Sequence, residues 1–313
     1  MPSTRRPRKA SLQFWPRKRA NKFLPSVNWK CISEKHSKGL KGFIVYKAGM
    51  ASAEVKDLTP DSMTPNKKII IPVTILSCPN LKIFSFRFYK NGKVAKELLA
   101  ENLDKRLKSK VRLPKTKKGN LESIKFEDYD DVKIIAYSHI NPSGIKKTPD
   151  ISEIGLSGTM EDKIKFVKEH SNKEIPITNV FEKGQLVDIR GVTKGKGFQG
   201  PVKRFGIQLR QHKSEKGVRR VGSIAPWTPS KVTFRTPMAV QMGFQTRVAY
   251  NNKIISIGEN KLKNIKNFGE LRGNSLILLG SVHGPAKRQL IITAPLRETK
   301  KQNKKHYELL ELR

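Results

Sequence analysis

Two stretches of this 313-residue chain hold almost no acid, and that imbalance limits what they can fold into. Residues 1–22 carry eight basic side chains and no acid; residues 190–235 carry twelve against one, Glu215. A third block, 105–118, has eight basic residues and no acid in fourteen positions. Like charges at this density repel and oppose compaction unless a polyanion neutralises them. The Pro, Arg and Lys density of residues 1–22 leaves too little apolar surface for a core. Residues 190–235 add seven glycines and three prolines; a loop this long without its own core is functional or disordered. Between the basic blocks, residues 120–174 reverse the balance, with eleven acids against eight bases, and are expected to face solvent or protein. The whole chain has a formal charge of +38, which makes nucleic acid the first partner to consider and a freestanding small-molecule enzyme a poor fit.

The enzyme motifs fail on context. Gly195-Lys-Gly-Phe-Gln-Gly-Pro-Val202 matches both the dinucleotide and the kinase glycine patterns by letter. The first needs a helix straight after the glycines, and the Pro201, Lys203, Arg204 and Gly206 that follow show no helical pattern. The second needs His-Arg-Asp and Asp-Phe-Gly, and neither occurs. Glu127, Asp128, Asp130 and Asp131 read as a solvated acidic loop, since catalytic carboxylates need partners that split their pKa values. Cys31 and Cys78 stand far apart, expected as buried or half-buried thiols, and the six histidines are scattered; neither set suggests a metal. The longest apolar run, 69–76, contains Pro72 and is too short to span a bilayer, and no secretory signal is visible, so a soluble intracellular protein is expected.

Short segments rich in Ile, Val, Phe and Tyr predict strands over 42–48, 69–77, 81–89, 132–137, 185–192, 246–250, 253–257, 275–282 and 289–293. Asn251-Asn252 reads as a hairpin turn between two of them. Apolar spacing predicts helices over 93–107 (Val94, Leu98, Leu99, Leu103) and 159–170 (Met160, Ile164, Val167), the second with Thr159 as N-cap and acids in its first turn. Strands at both ends and helices in the middle suggest a small antiparallel barrel with a mixed helical insertion.

Aromatic residues sit among the cations of the basic stretches. Phe14 and Trp15 lie between Arg8-Lys9 and Arg17-Lys18-Arg19, and Phe198 and Phe205 flank Lys203-Arg204. Trp227 stands between Pro226 and Thr228-Pro229, after Arg219-Arg220 and before Lys231, and reads as a rigid exposed tip against the alternative of a core tryptophan. Trp29 is open between core and interface. Flat side chains among guanidinium groups suit RNA, whose unpaired bases stack on both. The expected RNA contacts are Arg5, Arg6, Arg8, Lys9, Trp15, Arg17, Lys18, Arg19, Lys194, Lys196, Lys203, Arg204, Arg210, Lys213, Arg219, Arg220, Trp227, Lys231, Arg235 and Arg247. Gly195, Gly197, Gly200 and Gly222 are expected to let backbone approach RNA closely.

The run Gly191-Val-Thr-Lys-Gly-Lys-Gly-Phe-Gln-Gly-Pro-Val-Lys-Arg204, followed by Gly222-Ser-Ile-Ala-Pro-Trp-Thr-Pro-Ser-Lys-Val232, closely resembles the family of the third protein of the large ribosomal subunit. Arg6-Pro-Arg-Lys-Ala-Ser-Leu-Gln-Phe-Trp-Pro-Arg-Lys-Arg19 is similar to the N-terminal arm of its archaeal and eukaryotic branch. Gly42-Phe-Ile-Val-Tyr-Lys-Ala-Gly-Met50 and Gly280-Ser-Val-His-Gly-Pro-Ala-Lys-Arg288 resemble its barrel strands and turns. Ala10, Phe205, Gly206, Gly243-Phe244-Gln245 and His283 depart from the family's usual residues. Chain length resembles the archaeal form.

The resemblance implies a mainly β fold with an α+β insertion: a six-stranded antiparallel barrel of the translation-protein type with long basic extensions. The expected division is a basic N-terminal arm (1–40), the first part of the barrel (41–92), a mixed helical insertion (93–175), barrel continuation (176–192), a basic Gly/Pro-rich loop (193–245), barrel completion (246–297) and a basic C-terminal tail (298–313). It also implies a structural, non-enzymatic constituent of the large subunit in the cytoplasm. The expected partners are 23S-type rRNA and neighbouring ribosomal proteins, with no cofactor, metal, membrane or small-molecule substrate. Such a protein supports early subunit assembly and organises RNA near the peptidyl-transferase centre, toward which Pro226, Trp227 and Thr228 point as the loop tip. The alternative is a soluble RNA-binding translation or ribosome-assembly factor.

Overall fold

A computed structural model describes residues 10–11, 13–33, 39–114, 128–140, 144–259 and 262–313. In chain order its first elements are β1 (Gly42–Asp57), β2 (Lys68–Ser77), β3 (Leu81–Lys90), β4 (Lys93–Leu99), β5 (Asp131–Ser138), β6 (Ile151–Gly155) and α1 (Met160–His170). There follow β7 (Leu186–Val192), β8 (Gly195–Gln199), α2 (Pro201–Phe205), β9 (Val240–Gly243), β10 (Thr246–Glu259), β11 (Asn274–Leu279), β12 (Gln289–Thr293), α3 (Lys300–Asn303) and β13 (Tyr307–Leu312). The chain divides into two compact units, one drawn from Met1–Lys22 and Val192–Thr246, the other from Phe23–Gly191 and Arg247–Arg313.

The larger unit is mainly β. Its main sheet runs β12-β7-β10-β11-β2-β1-β13, and β12 also pairs with β1. The sixteen-residue β1 makes this possible. Its start, 42–46, pairs with β12, its end, 53–57, pairs with β13, and the stretch 46–56 pairs with β2. The first seven residues of β1 are all buried, whereas its second half alternates toward solvent, as expected for a strand that passes from a covered to a half-covered face. The expected six-stranded barrel is therefore corrected to a seven-stranded sheet, because residues 307–312, expected within a basic tail, form β13 on the edge of β1. Leu309 and Leu312 of this strand pack on Val55 and its neighbours, which is what draws the segment onto the sheet.

A second, four-stranded sheet has the order β4-β3-β5-β6. Trp29, in a single 3-10 turn, belongs to the core and wedges against glycines of both sheets. A Cβ on Gly42 of β1 would come within 2.8 Å of the indole, and one on Gly155 of β6 would lie 2.8 Å from the Trp29 Cβ and 3.0 Å from the indole Cγ. The Tyr46 hydroxyl also joins the sheets, donating to Asp150 at 2.6 Å and contacting Ser138 at 2.7 Å. Burial, reinforced by the Asp150 carboxylate, pushes this phenol well above its usual pKa.

Two local expectations are overturned. Residues 93–107 form strand β4 and then a 3-10 turn over Lys105–Ser109, not a helix. Asn91 and Gly92 both take positive φ, at 51° and 73°, and turn β3 back onto β4 with Lys90 opposite Lys93. Asn-Gly in this role is a strong hairpin signal; the helical spacing was coincidental, since Val94 is exposed. Conversely, Asn251-Asn252 makes no hairpin, and β10 runs straight through. Asn251 does adopt φ 55°, but its N–H donates to the buried Asp188 carboxylate on β7, which holds this positive-φ residue inside one strand. The helix at Thr159 forms with a capping box in which Thr159 and Asp162 bond reciprocally. Cys31 is exposed rather than buried or half-buried, while Cys78 is buried and its thiol is pushed up by desolvation.

Asp57 closes β1. Burial raises its carboxyl pKa, but the N–H of Thr59 and the hydroxyls of Ser62 and Thr64 outweigh that and hold it at about 2, below the ordinary 3.8. The stability this contributes is present above pH 3.8 and is lost as pH falls toward 2. Asp57→Asn puts an NH2 where an oxygen accepts, and should cost about 1–3 kcal/mol near neutral pH. Denaturant titrations should show the difference between the two proteins shrinking below pH 4.

Candidate nucleic-acid interface

The smaller unit begins as a hairpin. β8 pairs with β9, Gly195 opposite Gly243 and Gln199 opposite Val240. Gly243 has φ 67°, and a Cβ there would lie 2.0 Å from the Lys194 carbonyl, so only glycine permits this approach. Below it, the Thr193 N–H donates to Gln245 O at 3.0 Å and the Gln245 N–H to the Thr193 hydroxyl at 3.2 Å. The stretch expected as a long basic loop thus has a zipped base. One turn of helix, α2, follows Gly200, with Pro201 at its start and Gly206 at φ 60° as its stop. That corrects the expectation of no helix after the glycines. The dinucleotide reading gains nothing from it, because Gly195 and Gly197 lie within β8 and α2 has only five residues.

The two basic segments also pack on one another, which the sequence did not suggest. The Ala20 N–H donates to Phe244 O at 2.8 Å. The Arg17 guanidinium lies 4.7 Å from the Phe205 ring centre and 5.8 Å from that of Trp15, whose own ring meets Phe234 at 5.2 Å. Arg19 covers Phe244 at 5.2 Å. Cation–π contacts hold cations without neutralising them, so the pile leaves its charge available to an outside anion.

Arg204 departs from its expected role. It is buried, donating from Nε to Gln241 O and from Nη1 to Met238 O, both at 3.1 Å. Burial, with the Arg17 charge second, lowers its pKa. It is a clamp on the β9 strand, not a surface contact. Arg210 is half-buried and donates to Val221 O at 2.7 Å. Lys18, Arg19, Lys194, Lys196, Lys203, Lys213, Arg219, Arg220, Lys231 and Arg235 are exposed, and Arg17 is half-buried. Arg247 belongs to the larger unit, where burial lowers its pKa. Arg5, Arg6, Arg8 and Lys9 lie outside the described residues.

At the far end, Pro226, Trp227 and Thr228 are all exposed, and the Trp227 side chain is 94% exposed. The core alternative for Trp227 is thereby removed. The turn is held from within: the Ser230 hydroxyl donates to Trp227 O at 2.6 Å, and that of Thr236 to Ile224 O at 3.0 Å. A Cβ on Gly197, Gly200 or Gly222 would meet nothing within 4 Å, so these backbones are open, whereas Gly195 already faces the Phe244 ring. Phe198, 74% exposed on β8, and Phe234 were not among the expected contacts, although each adjoins or flanks cations in the sequence. No group of three His, Cys, Asp or Glu able to hold a metal occurs among the described residues, and no helix among them is long and apolar enough to cross a membrane.

The model of the family described as ribosomal protein L3 matches residues 1–312. The chain belongs to the ribosomal protein L3 family. Large ribosomal subunit protein uL3 of Methanocaldococcus jannaschii is 39% identical, over 93% of this chain and 92% of its own length. The proteins of the same name from Methanococcus aeolicus and Archaeoglobus fulgidus are 39% and 34% identical, each covering 93% or 94% of this chain. An L3-family protein is a structural component of the large ribosomal subunit, cytoplasmic in archaea, and not an enzyme.

If Arg204 is a clamp, Arg204→Met removes the donor from the Gln241 and Met238 carbonyls and should cost the small unit about 1–3 kcal/mol. Hydrogen exchange at the amides of 195–205 and 238–243 should accelerate, while Lys203→Met, one residue away and exposed, should leave those rates unchanged.

Proposed function

We propose that this chain is a structural constituent of the large subunit that binds large-subunit rRNA chiefly through its smaller unit, supports early subunit assembly and organises RNA near the peptidyl-transferase centre. The observation that carries this reading is the combination at the tip and flanks of that unit: a tryptophan 94% exposed on a self-held turn, with exposed Arg219, Arg220 and Lys231 around it in sequence. A ring so exposed is costly in water and suited to a base or a ribose face. The exposed cations along the same segment neutralise phosphates where RNA strands crowd, and the open backbones at Gly197, Gly200 and Gly222 admit them closely.

Within this reading Pro226, Trp227 and Thr228 form the tip that approaches the peptidyl-transferase region, and the neighbouring partners are rRNA and other large-subunit proteins. The rRNA-penetrating role of the basic extensions belongs to the same proposal: the larger unit docks on RNA and the smaller one enters it. Retention in large subunits after a high-salt wash separates this resident protein from a soluble factor that cycles on and off.

Two measurements test it. Contact with about ten phosphates of duplex-like RNA should give a slope near −9 for log affinity against log salt. A slope shallower than about −3 on an rRNA fragment would defeat extensive phosphate contact. Trp227→Ala should leave subunit assembly largely intact while altering peptidyl transfer or factor-dependent steps. Assembly loss as severe as that from truncating the larger unit's core would reject the separate role of the tip.

A further inference from the structure

The larger unit contains a buried cation with no carboxylate partner among the described residues. Lys253, on β10, is only 3% exposed. Its ammonium donates to Asn303 O at 2.9 Å and to Gln302 O at 3.3 Å, at the C-terminal end of α3. An ammonium has three donors, so these two carbonyls leave one unused. Burial of a charge that lacks an opposite charge is unfavourable unless a partner arrives from outside.

Lys253 lines a cavity of about 340 Å³ between Lys183–Gly184, β10 and the start of β13. Lys183 and His306 line it as well, both exposed, and Glu308 contributes the one carboxylate. Gly184 stands at φ 83° with nothing within 4 Å of a would-be Cβ, which keeps that wall low. Two ammonium groups against one carboxylate leave a single positive charge, with the His306 imidazole as an additional polar group. We infer that this cavity is a binding site for a phosphate group, with Lys253 as its buried anchor and Lys183 and His306 as its outer contacts. A singly charged tetrahedral anion balances the residual charge and accepts the unused Lys253 donor. Such a group is supplied either by one RNA phosphodiester or by free phosphate. The site stands independently of whether the smaller unit touches RNA, since no residue of that unit is part of it.

The test is binding of labelled inorganic phosphate to the full-length chain at physiological salt, comparing Lys253→Met with the parent protein. Lys253→Met should weaken the tightest class of sites at least tenfold, while Lys96→Gln, on the exposed part of β4, should have no effect. Should Lys253→Met fail to fold, Lys183→Met combined with His306→Gln alters only exposed side chains and should produce at least a threefold loss. Binding unchanged in these variants would overturn the site and mark phosphate as adventitious on a basic surface. In assembled large subunits, an RNA crosslink at Lys183 identifies the phosphodiester as occupant, and retained labelled phosphate without that crosslink identifies the free ion. Neither crosslink nor retained phosphate would also overturn it.

Discussion

Nineteen basic side chains against one carboxylate, within the 77 positions of Met1–Lys22 and Val192–Thr246, set the terms for the smaller unit. Ion pairing within the segment is restricted to Glu215, so cohesion has to come from groups that attract cations without cancelling them. Backbone carbonyls take the Arg204 and Arg210 guanidinium groups, and the rings of Trp15, Phe205 and Phe244 take Arg17 and Arg19. Each such contact orders a cation and leaves its charge in place. A segment built this way is folded and still strongly positive, which is the condition for receiving a polyanion on a defined surface.

The larger unit solves a different problem, the joining of two sheets over one core. Trp29 fits only because Gly42 and Gly155 lack side chains, and the Tyr46–Asp150–Ser138 cluster gives the same junction a polar counterpart. Pairing of β7 with both β12 and β10 also brings together the two strands at which the chain leaves for, and returns from, the basic excursion. Within the smaller unit itself, contacts of Thr193 with Gln245 close the base of the excursion. A ribosomal protein with this arrangement needs no catalytic pocket.

Much of this was legible from residue order. Most expected strands formed within a few residues, because β-branched and aromatic runs between turn residues have few other uses. The Thr159 cap was readable because hydroxyl and carboxylate stand three residues apart. Misreadings share one cause: a local pattern was assigned without its partner. Val94 and Leu98 have helical spacing, yet Asn91-Gly92 had already committed the chain to a hairpin. Asn251 has the right conformation for a turn, yet Asp188, sixty-three residues away, captures its N–H inside a strand. Arg204 looked like its exposed neighbours, although the carbonyls that bury it come from Met238 and Gln241.

The amino-acid sequence alone determined the sign and location of the charge, the glycine and proline punctuation of the basic stretch, and the family, since these are properties of residue identity and order. Only the tertiary structure decided which cations are spent internally and which face outward, that Trp227 is exposed while Trp29 is core, and that the C-terminal residues join the sheet. Those outcomes depend on groups far apart along the chain meeting in space. Burial and hydrogen bonding are set by the neighbours a side chain acquires on folding, and a basic residue carries no mark in the sequence of which carbonyl or ring it will meet.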